Sequence, residues 1–139
     1  MNLLPTKEAS KLLNKAWNLD QKALLYTKNK KQAKVLWKES MKICEKLLKE
    51  FSDNINLLFK IATIYQHQGK FDKSKYFLYK AKKYYPENFL VEYYLGNLYR
   101  AKSNHKLAVK YYEMAFKHSR GNKLIKQSLE NYKKFLKSL

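Results

Sequence analysis

IATIYQHQGKFDKSKYFLYKAKKYYP, residues 61–86, is answered 34 positions later by LGNLYRAKSNHKLAVKYYEMAFKHSR, residues 95–120. At that offset Ile61-Ala62-x-x-Tyr65 falls on Leu95-Gly96-x-x-Tyr99, and Phe77-Leu78-x-x-Ala81 falls on Tyr111-Tyr112-x-x-Ala115. Ser74 falls on Ala108, Ile64 on Leu98 and Asn88 on Asn122. Large residues meet large ones and small residues meet small ones. A period of this length marks a helical repeat.

The pattern within each copy is that of two packed helices. Leu58, Ile61, Ala62 and Tyr65 recur every three or four residues and form one apolar stripe; Ser74, Phe77, Leu78 and Ala81 form a second. The small members (Ala62 and Gly96, Ser74 and Ala108, Ala81 and Ala115) let paired helices approach closely, and the large ones fill the space between pairs. Gly69 stands where a first helix should end, at a left-handed position beyond its C-cap. Pro86 follows the second helix and stops it. One pair leaves an apolar face exposed, so pairs must stack.

Ile61-Ala62-x-x-Tyr65…Gly69…Ser74…Leu78-x-x-Ala81…Pro86 and Leu95-Gly96-x-x-Tyr99…Ala108…Tyr112-x-x-Ala115 resemble two tetratricopeptide repeats. The early tryptophan of that family is replaced by Leu58 and Glu92, and its closing proline by Arg120 in the second copy. The resemblance implies an all-α fold, a right-handed superhelical stack of antiparallel helix pairs with about seven helices. It also implies a single domain over 1–139. Within it we read a divergent first repeat at 6–51, repeats at 55–88 and 89–122, and a capping helix at 123–139.

In the first repeat Ala33, Trp37 and Ser40 give a small-large-small stripe, with Trp17, Asp20-Gln21 and Leu24 as the weaker partner stripe. Matching Phe51-Ser52-Asp53-Asn54 to Tyr85-Pro86-Glu87-Asn88 adds about two helical turns, which predicts long helices near 6–28 and 31–51. Thr6, after Pro5, suits an N-cap. At the other end Leu124, Ile125, Leu129, Tyr132, Phe135, Leu136 and Leu139 share one helix face, with Gly121-Asn122 breaking the chain before it. That is the pattern of a terminal cap; half of a fourth repeat is the alternative reading.

Composition agrees. The chain has 139 residues, of which 45% are hydrophobic, with only three Gly and two Pro. So few breakers argue against an all-β chain. A single cysteine, Cys44, forms no intramolecular disulfide and points to a reducing compartment. Met1-Asn2-Leu3-Leu4-Pro5 lacks the basic and apolar regions of a leader, so a cytoplasmic location is the expectation. The net charge is +19, and 28 of the 30 basic residues are lysine. It is spread evenly: +6 over 1–54, +5 over 55–88 and +8 over 89–139. Lysine, asparagine, tyrosine, isoleucine and phenylalanine share AT-rich codons, so genome composition and a functional basic surface are alternative readings of the excess.

Catalytic chemistry finds no foothold. His67, His105 and His118 are far apart, lack metal-site spacing and read as surface residues. Cys44 lies beside Ile43 and Leu47 and reads as a small core residue rather than a nucleophile. There is no Gly-rich phosphate loop and no paired-carboxylate pattern. Neither a cofactor nor a metal is expected, and the chain reads as no enzyme. Twelve tyrosines would suit base stacking, but Tyr65, Tyr99, Tyr111 and Tyr112 are absorbed by the repeat core, and Tyr84-Tyr85 by the junction between pairs.

What remains is binding. In the family the first helix of each pair lines a concave groove. The resemblance therefore implies a groove lined by Lys22 and Tyr26 in the first repeat, Phe59, Thr63 and Gln66 in the second, and Tyr93, Tyr94, Asn97 and Arg100 in the third. Packing of Phe59 and Tyr93 between adjacent helices is the competing account. Aromatics, amides and cations together suit an extended peptide or a partner helix. Some members clamp a C-terminal carboxylate with Lys, Asn and Arg. Those positions fall here on Asn18, Lys22, Lys60, Leu90 and Tyr94, and none matches. The expected function is thus a protein-interaction adaptor or scaffold whose partner is another protein, acidic partners being favoured by charge. The alternative is a lysine surface that binds RNA or another polyanion, although scarce arginine counts against base reading.

Overall fold

The computed structural model describes residues 4–26 and 28–139. The leader reading at residues 1–3, and position 27 of the expected first helix, lie outside them. Seven helices occur among the described residues: α1 (Lys7–Leu24), α2 (Lys30–Glu50), α3 (Ile55–His67), α4 (Phe71–Tyr84), α5 (Phe89–Ala101), α6 (His105–His118) and α7 (Lys123–Lys137). No strand is present among these residues. The chain divides into two compact units, Met1–Phe77 and Leu78–Leu139.

Helix starts repeat with the sequence. The Oδ1 atoms of Asn54, Asn88 and Asn122 each accept from backbone N–H groups in the first turn of α3, α5 and α7, at 2.9–3.2 Å. Each satisfies donors that would otherwise have no intrahelical partner. Thr6 caps α1 as expected, accepting from Ala9 N at 3.0 Å. Asn29 and Asn104 cap α2 and α6.

Helix ends repeat as well. After α3 the Lys70 N–H reaches Tyr65 O (2.9 Å) and the Gly69 N–H reaches Gln66 O (2.9 Å), with Gly69 at φ +77°. After α5 the same pair of bonds runs from Asn104 to Tyr99 and from Ser103 to Arg100. Ser103, which occupies the place of Gly69, takes φ +59° without being glycine. Arg120 does the same at φ +56° after α6. The turn is therefore fixed by the backbone bonds rather than by residue type.

In the first unit α1 and α2 form a pair, and α3 packs on both. Its core holds Leu13, Ala16, Cys44, Leu47, Leu57, Ile61 and Ile64. The α1 stripe differs from the expected one. Ala9, Leu13, Ala16, Asp20 and Ala23 are buried, Trp17 is half-buried, and Leu24 is exposed. Small residues face α2, and Ser40 donates to Ala16 O at 2.7 Å, so the two helices run close together. Helix α1 also stops short of 28, because Leu25 and Tyr26 close tight turns onto Lys22 O and Ala23 O.

In the second unit α5 pairs with α6, and α7 packs on α6. Leu95, Leu98, Ala108, Tyr112 and Ala115 are buried, in accord with the sequence pattern. Gly96 lies against the Tyr112 ring; a Cβ there would stand 2.6 Å from Tyr112 Cδ1. On α7 the apolar face is narrower than its seven expected members. Ile125, Leu129 and Tyr132 are buried, whereas Leu124, Phe135 and Leu139 are exposed.

Candidate functional site

The residues expected to line a groove divide between the two units. In the first, Lys22 is exposed on α1 and borders an open cavity of about 390 Å³ with Lys15, Asn18 and Leu19. Tyr26, just past the helix, is exposed. On α3, Thr63 and Gln66 are half-buried, and the Thr63 hydroxyl donates to Phe59 O at 2.9 Å. Phe59 is withdrawn into the interior, with only 6% of its surface exposed.

In the second unit the structure does bring Tyr93, Asn97 and Arg100 together, but onto the chain's own helices. Asn97 Oδ1 accepts from the Tyr112 hydroxyl on α6. The Arg100 guanidinium lies 5.0 Å over the Tyr132 ring on α7, and the Tyr93 hydroxyl is 3.5 Å from Ser128 Oγ, also on α7. Tyr132 is buried and Tyr112 stands edge-on to it at 5.7 Å, so a continuous aromatic seam joins α5, α6 and α7. Leu90 is exposed and Tyr94 half-buried on the same helix. Burial, and then the neighbouring Tyr93 phenol, push the Tyr94 hydroxyl above the usual tyrosine range.

His118 is exposed as expected, while His67 and His105 are half-buried, and all three are tied to other helices. Asp20, fully buried, accepts from Trp37 Nε1 (2.9 Å), Gln21 Nε2 (3.1 Å) and His67 Nδ1 (2.8 Å), so one carboxylate ties α1 to α2 and α3. A buried carboxylate needs such partners to offset lost hydration. Glu92 is buried on α5 and bonds His118 at the end of α6, and His105 bonds the Tyr132 hydroxyl. The signal was present in the sequence: Asp20 and Glu92 both interrupt apolar stripes, where a charge must find a partner. Lys60 was also missed; it lies 4.2 Å over the Trp17 ring, and burial lowers its ammonium pKa below the usual lysine range.

Cys44 is a core residue, as the sequence implied. Burial first, then the negative field of Asp20 and Glu45, push its thiol up to about 12. Among the described residues no group of three or more His, Cys, Asp or Glu side chains is placed to hold a metal ion. No helix among them is long and apolar enough to cross a membrane.

The tetratricopeptide domain of Sgt2 from Aspergillus fumigatus superposes on this chain with a TM-score of 0.64 and 21% identity, over 96% of this chain and 82% of that one. The chain has the tetratricopeptide-repeat fold. A second solved structure agrees: the first tetratricopeptide domain of Spaghetti (RPAP3), bound to the HSP90 peptide SRMEEVD. It superposes with a TM-score of 0.60 and 21% identity, over 88% of this chain and 94% of that one. No protein-family model matches the chain, and no curated protein matches it by sequence. The fold was therefore legible from residue spacing and from three-dimensional likeness, while overall identity is low.

Proposed function

We propose that the protein is a non-catalytic interaction module that takes a peptide or a helix of a partner protein on the first helices of its pairs. The observation that carries this reading is the state of α1. It keeps a lysine and amide face open around the 390 Å³ cavity, while its opposite face is consumed by packing on α2 and α3. Lys15, Asn18 and Lys22 there offer cations and an amide to an extended chain. Leu90 and Tyr94 offer apolar area on α5. The RPAP3 domain, of the same fold, is seen with a peptide bound, which makes peptide recognition the natural use of such helices.

The test is a comparison of parent with Lys15→Glu/Lys22→Glu and with Leu90→Ala/Tyr94→Ala. Proteins retained from native lysate are identified by mass spectrometry, and the recovered partner is titrated calorimetrically. Loss of partner binding with helicity intact supports the proposal; unchanged affinity in both variants refutes it. The rival, a lysine surface for RNA, rests on the exposed lysines of α2 and α6. It predicts a steep loss of affinity with salt, because each phosphate contact releases counterions. A gel shift showing no RNA retained at physiological salt removes it.

A further inference from the structure

A second, larger cavity lies within the first unit and away from the α1 face. It measures about 630 Å³ and is bounded by α2, the end of α3 and the start of α4. One wall is the lysine row Lys34, Lys38 and Lys42 on α2; Lys70 and Lys73 stand on the other side. Trp37, Met41 and Tyr65 supply an apolar floor. Glu45 is the one acidic lining residue. Among the described residues none of the five lysines is in an ion pair. Gln68 Nε2, also in the lining, is buried without a hydrogen-bond partner. A buried amide donor left unpaired in a cluster of uncompensated cations marks a place where an acceptor-bearing anion would fit.

We infer that this cleft binds an acidic peptide segment carrying at least one apolar side chain. Lysines four residues apart on α2 are spaced by about 6 Å along its axis. Alternate side chains of an extended peptide are spaced by about 6.6–6.8 Å, so carboxylates two residues apart can meet successive lysines. The apolar side chain covers Met41 and Tyr65, and the Gln68 amide, enclosed in the free protein, turns into the cleft to donate to a peptide carbonyl or carboxylate. A nucleic-acid strand fits less well. No arginine lines the cleft for base-edge recognition. Tyr65 is already stacked on Phe77 at 5.8 Å with Lys73 at 5.5 Å, and the Trp37 N–H is committed to Asp20. The site stands apart from the α1 face and does not rest on the function proposed for it.

The experiment is fluorescence anisotropy on the full chain with three labelled probes. These are a decapeptide of alternating glutamates and serines around one leucine, its glutamine counterpart, and an oligouridylate of equal net charge. The acidic peptide should saturate at one per chain, and the glutamine peptide should not bind. Lys38→Glu/Lys73→Glu should weaken it at least tenfold, and Gln68→Leu severalfold. Lys106→Glu/Lys117→Glu, the same charge change on α6, should stay within twofold of the parent, and Lys15→Glu/Lys22→Glu on α1 should lose less than the cleft pair. All of these lysines are exposed, and unchanged circular dichroism confirms folding. Equal losses in all three lysine pairs would reveal mere charge attraction. Loss confined to the α1 pair would place the peptide elsewhere. Tighter binding of the oligouridylate, or no saturable binding, overturns the inference as well.

Discussion

Replacing Gly96 with alanine puts the packing of the second unit to a quantitative test. The added Cβ would stand 2.6 and 2.7 Å from Cδ1 and Cε1 of Tyr112 and 3.2 Å from Cγ. Comfortable carbon–carbon contact begins near 3.5 Å, so the ring has to retreat by about 0.9 Å. It has no room to do so. Tyr112 is 1% exposed, its hydroxyl is bonded to Asn97, and its ring is held by Tyr93 and Tyr132, each with centroids 5.7 Å away. In an open helix the exchange would gain about 0.5–1 kcal/mol from propensity. Overpacking costs about 1–3 kcal/mol, and the upper part of that range, about 2–3, applies to a ring that cannot retreat, so the expected net loss is about 1–2 kcal/mol. For a chain of this size that lowers Tm by about 3–8 °C. Urea and thermal melts followed by circular dichroism read it directly. In a Tyr112→Leu background the ring is gone, and Gly96→Ala should become neutral or stabilising. Tyr112→Phe, which keeps the ring, should give no such rescue. A Gly96→Ala protein as stable as the parent, or an additive double variant, would refute the reasoning.

Four further outcomes follow from the geometry. Ser103→Gly should stabilise by about 1 kcal/mol, because φ +59° strains a residue with a Cβ; an unchanged or lower urea midpoint contradicts this. Asp20→Ala should cost about 2–3 kcal/mol and alter Trp37 fluorescence, since three donors lose their acceptor; a melt that matches the parent tells against the clasp. Cys44 should resist thiol reagents at pH 8 until the chain is unfolded, with about one thiol in ten thousand ionised in the native state. The folded thiol titrates near 12 against a reference of 9.0, so the unfolded state alone loses this proton as pH rises through that window. Stability should therefore fall by about 1.4 kcal/mol per pH unit there, and less steeply in Cys44→Ala; parallel pH profiles refute it.

What the sequence disclosed was periodic. The 34-residue echo located α3 to α6, an apolar stripe after Gly121-Asn122 located α7, and Thr6 and Gly69 marked boundaries that the hydrogen bonds bear out. Periodicity reports which face is apolar, not which neighbour it meets. Hence Trp17 and Leu24 were placed on a stripe that belongs to Ala9, Leu13, Ala16 and Ala23. The histidines eluded the reading because a residue's partner across 47 or 26 positions is a property of tertiary packing. The candidate site was less legible for the same reason. Asn97 and Arg100 carry binding chemistry by type, yet their polar atoms are directed at Tyr112 and Tyr132. The lysine cleft escaped notice because its two walls lie some 30 residues apart along the chain and meet only on folding.

Asparagines 54, 88 and 122 give every boundary after the first repeat the same joint. Excising residues 55–88 would splice Asn54 directly to Phe89 and leave α5 with an identical starter. Duplicating that segment would likewise create no unfamiliar junction. The local chemistry of the chain therefore tolerates being lengthened or shortened in whole 34-residue modules, and repeat number is the variable along which such a scaffold can most readily diversify.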